Sequence, residues 1–268
     1  MVYCIWSIFM GITETIETET AVDEYTYPAC DEFSYADSLA SEVNVRHTRS
    51  WHKYNYDSIY CLSYQVSSNI MTPAHEFRNQ LYTRERNYEL YWRNIYFELY
   101  QHDKELISFI KDSLQYVASL NNLSRNEFAY LIVSFVQDIP YNYVMPGPCD
   151  RNDHPCRSNE KFGILSPVEF LYSLSGDCDT RSVLLYSILK HFNYDPLIMI
   201  SNQYRHAMIA IDLPASGDYI IHKGKKFYFW ETTNTGWLPG MLPPDVNNLA
   251  YWKITLDHEY QTIAAGSR

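Results

Sequence analysis

Residues 175–240 constrain this chain more than any other stretch. Ser175-Gly176-Asp177-Cys178-Asp179-Thr180 opens it, and Gly176 and Asp177 are turn residues. From Thr180 to Phe192 the apolar residues Leu184, Leu185, Ile188, Leu189 and Phe192 fall on one stripe, the spacing of an amphipathic helix. Cys178 therefore sits at a helix start, where unpaired backbone N–H groups and the positive end of the helix dipole favour a thiolate. His206 then opens Ala207-Met208-Ile209-Ala210-Ile211, a run with the composition of a strand, and Glu231 ends a second run, Lys226-Phe227-Tyr228-Phe229-Trp230. If these strands are neighbours, Glu231 can accept a hydrogen bond from the His206 imidazole and fix its tautomer. Nucleophile, base and orienting carboxylate occur in that order.

A glycine-preceded cysteine at a helix start, a histidine at a strand start, and an aromatic-x-acid-x-Thr segment followed by Gly236-Trp237 resemble the transglutaminase-like superfamily of papain-like thiol enzymes. Ile132 to Tyr141 resembles the helix and aromatic segment preceding the nucleophile in many bacterial members, so the likeness covers about residues 121–245. It implies a papain-like core and a Cys-His-acid triad of Cys178, His206 and Glu231, with glutamate where aspartate is usual. It also implies acyl transfer on a carboxamide or peptide carbonyl, by hydrolysis or by transamidation, with protein, peptide or cell-wall peptide as substrate and no cofactor. The Cys178 backbone N–H would serve an oxyanion hole with one side-chain donor, for which Gln137 is the candidate. Tyr141 and Trp237 are expected to wall the cleft. The rival readings are an inactive module that binds a peptide or glycan in the same cleft, and a structural domain of a surface protein.

The chain has 268 residues, 46% of them hydrophobic, enough for a sizeable core. Its net charge of −11 is concentrated at one end, because nine acids and no Lys or Arg precede Arg46. The remaining 23 acids face 21 bases, which leaves no basic stripe for nucleic acid. Residues 1–45 thus read as a poorly ordered acidic segment or tether. Within them, residues 1–12 are apolar but too short to span a bilayer, and read equally as a trimmed targeting segment or as a piece packed on the body. No internal membrane span is expected.

Six cysteines occur, and Cys149 and Cys156 flank a loop short enough for a disulfide to close. A bridge there favours an extracytoplasmic setting. Two free thiols, or zinc with His154 between them, are the other readings.

Residues 46–120 read as a mixed extension that either covers a face of the core or shapes access to it. They hold one or two strands over 46–70, then helical spacing from Pro73 to Leu120. Ser124 with Glu127 spells a capping box for a helix to about Asp138, ended by Pro140. Residues 143–165 read as a long loop at the mouth of the site, and Ser166-Pro167 starts a short helix reaching about Leu174. The expected architecture is α+β, with a helical layer carrying Cys178 packed on an antiparallel sheet carrying His206 and Glu231, in a catalytic core over 121–268. The 25 tyrosines suit either a polymer-binding groove or ordinary packing.

Overall fold

The computed structural model describes residues 43–53, 59–149 and 155–260. The readings of residues 1–12, of most of the acidic segment and of His154 lie outside them. Strands β1 (Asn44–His52) and β2 (Ile59–Ser67) form an antiparallel hairpin in the register Trp51↔Tyr60 to Asn44↔Ser67. Alternate residues Tyr60, Leu62, Tyr64 and Val66 are buried, as the period of two requires for a strand with one face on the core. Four helices follow: α1 (Ser68–Gln80), α2 (Tyr88–Asp103), α3 (Ser108–Leu120) and α4 (Arg125–Gln137). Ser67 and Asn87 cap α1 and α2 through their side chains, and Ser124 with Glu127 forms the expected capping box on α4. Phe128, Leu131, Ile132, Phe135 and Val136 make the buried stripe of α4.

The segment after α4 is more structured than a loop. Short parallel strands β3 (Tyr143–Val144) and β4 (Cys156–Arg157) pair within it, and a Cys149–Cys156 disulfide, with Cα atoms 6.1 Å apart, ties Cys149 to the start of β4. The bridge replaces both the free-thiol and the zinc readings. Cys61 is disulfide-bonded as well. Helix α5 (Pro167–Ser173) is capped by Ser166 and Glu169 and leads into α6 (Cys178–His191). The main sheet is antiparallel, in the order β7 (Tyr219–His222), β8 (Lys225–Trp230), β6 (His206–Ile211), β5 (Pro196–Ser201), β9 (Lys253–Leu256). Ile198, Ile200, Ala207, Ile209 and Ile211 join the core that contains α6, while Leu197, Met199, Met208, Phe227 and Phe229 form a second cluster with Leu242 and Trp252. Both faces of the sheet are covered, which is why β5 and β6 are apolar without alternation. The fold is α+β.

Residues 46–120 are built into this core. Trp51 donates its indole N–H to Ser134 at 2.9 Å, Tyr64 its hydroxyl to the Leu171 carbonyl at 2.9 Å, and Arg93 its Nε to the Thr255 carbonyl at 2.6 Å. One apolar cluster runs from Trp51 to Leu256. A fully buried Arg78 on α1 reaches Glu169 on α5 at 2.7 and 2.9 Å and Glu160 at 2.6 Å. His75 completes a group with these carboxylates that has metal-ligand spacing, but the guanidinium already satisfies them. Burial opposes ionisation of Glu169, and the Arg78 hydrogen bonds and charge overcome it, so its carboxyl is held low.

Because Arg78→Met leaves Glu169 buried without its cation, the variant is expected to lose about 3–5 kcal/mol of stability. Urea unfolding followed by circular dichroism measures it.

Candidate active site

Local chemistry delivers Cys178 to its place. Leu174, at φ 47°, ends α5 in the left-handed region. Gly176 then passes so close to its neighbours that a Cβ would lie 2.7 Å from Thr180 Cγ2 and 2.9 Å from Phe170 Cδ2, so packing requires the glycine. Asp177 is the N-cap of α6, accepting from the Thr180 N–H at 3.2 Å, and Cys178 is the first helical residue. One turn on, the fully buried Arg181 donates to the carbonyls of Gly176 at 3.2 Å, Val136 at 2.7 Å and Thr232 at 3.0 Å, and to that of Ile139. Burial lowers its pKa to about 10, so it remains a cation at neutral pH. Sequence reasoning missed this residue, because its partners are main-chain oxygens from distant segments.

The other two triad candidates meet as the sequence reading required. β6 and β8 are paired neighbours, with Ile209 opposite Trp230. His206 Nε2 lies 2.9 Å from Glu231 Oε2. The other carboxylate oxygen, Oε1, accepts from the N–H of Thr232 at 2.8 Å and from the N–H and hydroxyl of Thr233 at 2.9 and 2.8 Å. Burial favours the neutral acid, but the bond to His206 and those from Thr233 outweigh it and hold Glu231 down to about 2. An ionised Glu231 accepts, so His206 carries its proton on Nε2 and leaves Nδ1 as the basic nitrogen. The longer side chain of glutamate reaches the imidazole without difficulty.

Cys178 is 5% exposed and is the free thiol among the described residues. It donates to Asp179 Oδ2 at 3.7 Å, while Tyr96 donates to the other oxygen of that carboxylate. The backbone N–H of Ala207, next to His206, and the hydroxyl of Tyr141 also face the sulfur. Burial above all, then the charges of Asp179 and Asp177, push the Cys178 thiol well up, which these two donors only partly offset. This corrects the thiolate expected from the helix start: two carboxylates and desolvation outweigh the dipole. The resting group is a neutral thiol with its proton directed at Asp179 rather than at the imidazole.

Tyr141 links sulfur and surface. Its hydroxyl also meets the Cys178 backbone N–H, and its ring helps to line a groove of about 420 Å³ with Tyr143, Tyr204, His206, Glu231 and Thr233. Trp237 instead lines a separate pocket of about 140 Å³ with Trp51 and Gln137. Gln137 is buried, and its amide donates to the carbonyls of Glu231 at 2.7 Å and Trp237 at 3.0 Å. Both amide hydrogens are spent, so Gln137 positions the Glu231 backbone and offers no donor to an oxyanion.

Comparison with protein-family models, curated proteins and solved structures gives no match.

Two outcomes follow from the charges. Because Glu231 falls from an ordinary 4.5 to about 2, it contributes stability above pH 4.5 that is lost as pH drops toward 2. At about 1.4 kcal/mol per unit this limb amounts to about 3 kcal/mol, and urea midpoints of Glu231→Gln taken across that pH range should lack it. Asp179→Asn removes a negative charge beside the sulfur, so the thiol pKa falls and Cys178 alkylation at neutral pH accelerates, about tenfold per unit. Stopped-time labelling read by mass measures the change.

Proposed function

We propose that this protein is a thiol-dependent acyl transferase with a papain-like, transglutaminase-like core, acting on peptide or amide bonds and using water as the usual acceptor. One observation carries the reading: the basic Nδ1 of a glutamate-fixed His206 belongs to the residue whose neighbour, Ala207, points its N–H at the free thiol.

The chemistry begins with a rotation of the Cys178 side chain from Asp179 toward His206. As Sγ attacks the carbonyl carbon, its proton passes to His206 Nδ1 and the carbonyl π electrons move to oxygen. On this reading the Cys178 N–H and the Tyr141 hydroxyl, which at rest bond to each other and to the sulfur, turn to that oxygen once the sulfur has moved, the role that Gln137 cannot fill. When the intermediate collapses, the C–N bond breaks and His206 returns the proton to the departing amine. Water, deprotonated by the same imidazole, then cleaves the thioester to a carboxylic acid, whereas an amine in its place forms a new amide. Throughout, Glu231 stabilises the imidazolium. The Cys149–Cys156 disulfide supports an oxidising, extracytoplasmic setting, where cell-wall peptides and surface proteins are substrates within reach.

A second reading, an inactive module that binds a peptide or glycan, draws on the near-complete burial of the sulfur and its bond to Asp179.

Incubation with peptides and cell-wall fragments, analysed by mass, separates the two. The enzyme reading expects a Cys178-linked acyl adduct and released amine, no product from Cys178→Ser, and a loss of roughly 10²–10⁴ in kcat for His206→Ala. Saturable binding with no adduct and no product supports the binding module instead.

A further inference from the structure

Four described residues other than Gly and Asn adopt positive φ: Phe162, Leu174, Arg205 and Lys223. Three have a visible return for that backbone conformation. Phe162 and Leu174 pack against the main core, and Lys223 pairs with Asp257 at 3.0 Å and Glu259 at 2.7 Å. Arg205, at φ 50°, is exposed, and its guanidinium has no hydrogen bond or ion pair among the described residues. It closes the four-residue turn between β5 and β6, a position that glycine or asparagine fills with less strain. It also immediately precedes His206 and lines the same groove. Strain held at a functional site, with an unpartnered charge aimed into the cleft, points to a ligand.

The chemistry fixes which part of a substrate this is. In the acyl-transfer reading, on which this inference rests, His206 hands its proton to the departing nitrogen, so groups flanking His206 face the amine component. A planar fork of donors suits a carboxylate held by two parallel bonds. The groove is not uniformly basic, because Asp245 also lines it without a partner and does not pair with Arg205. It therefore disfavours an amine component with a second negative charge.

We infer that Arg205 is a specificity-determining residue that binds the free carboxylate of the leaving amine, so that the enzyme removes a C-terminal residue in preference to cutting within a chain. In the reaction the C–N bond to that terminal residue breaks, the acyl part stays on Cys178 as a thioester, and the residue leaves with a proton from His206 on its nitrogen.

The test compares matched pairs of peptides that differ only in a terminal carboxylate or carboxamide. For the native protein kcat/KM should favour the free acid by about tenfold or more, a factor limited by solvent around an exposed charge. In Arg205→Gln the ratio should fall to about one, Arg205→Lys should retain part of it, and added salt should reduce it in the native protein. Arg205→Gly guards against misfolding, since glycine relieves the backbone and should raise the melting temperature by about 2–4 °C while still abolishing the preference. A native ratio near one, or a preference that survives Arg205→Gln, overturns the inference alone. If neither member of any pair acylates Cys178, the acyl-transfer reading falls and takes this one with it.

Discussion

A single buried cation, held by main-chain carbonyls and by no carboxylate among the described residues, sets the geometry of this site. Arg181 is fully buried on the first turns of α6 and directs its donors to carbonyls at the end of α4, in the segment after it, in the turn before Cys178 and just beyond Glu231. Burying a guanidinium is costly unless every donor finds an acceptor, so the four segments are held in one arrangement or the charge is stranded. Its Cζ also lies 5.4 Å from the centre of the Tyr141 ring and 5.8 Å from that of Phe170. Arg181 thereby fixes three things together: the turn carrying the nucleophile, the aromatic beside it, and the strand end carrying the acid. Gln137 adds a second tie by holding the Glu231 and Trp237 carbonyls. The precision needed between a sulfur and an imidazole comes from these ties to the main chain rather than from the triad itself.

The electrostatics divide the site into two halves with opposite tendencies. Glu231 collects four donors and stays ionised well below neutral pH, which commits His206 to one tautomer. Cys178 lies instead among buried acids and keeps its proton. In the proposed reaction, activation is therefore a coupled event in which the thiol leaves Asp179, meets the imidazole, and becomes an anion only as an ion pair forms. Such a site resists adventitious oxidation at rest, since the thiolate is the reactive species.

Much of this was legible in the sequence where the cause is local. The helix start at Cys178 follows from an N-capping Asp177, the α4 boundary from Ser124 and Glu127, and β6 and β8 from short apolar runs of strand composition. The pairing of His206 with Glu231 could be anticipated because one opens its run and the other closes its own, which brings them to the same edge of the sheet when the two strands are antiparallel neighbours. Residues whose meaning depends on distant partners were not legible. Arg181 and Gln137 satisfy carbonyls contributed by segments about 40 to 100 residues away, and Asp179 becomes a thiol partner only once Tyr96 and the sheet bury it. Strand β9 is defined by pairing with β5 across more than 50 residues, and β5 is apolar from Pro196 to Ile200, without the alternation that marks a strand. The helix dipole argument at Cys178 was sound in sign but lost to desolvation, whose size depends on everything packed around the sulfur.

The central claim is that Cys178 gains its reactivity from His206 held by Glu231, and the pH profile of its alkylation tests this most directly. With an uncharged haloacetamide, the native protein should show a limb of Cys178 labelling that depends on the imidazole and lies below the pH at which the raised thiol ionises by itself. That limb should vanish in His206→Ala. Superimposable profiles for the two proteins, rising only at alkaline pH, would contradict the account.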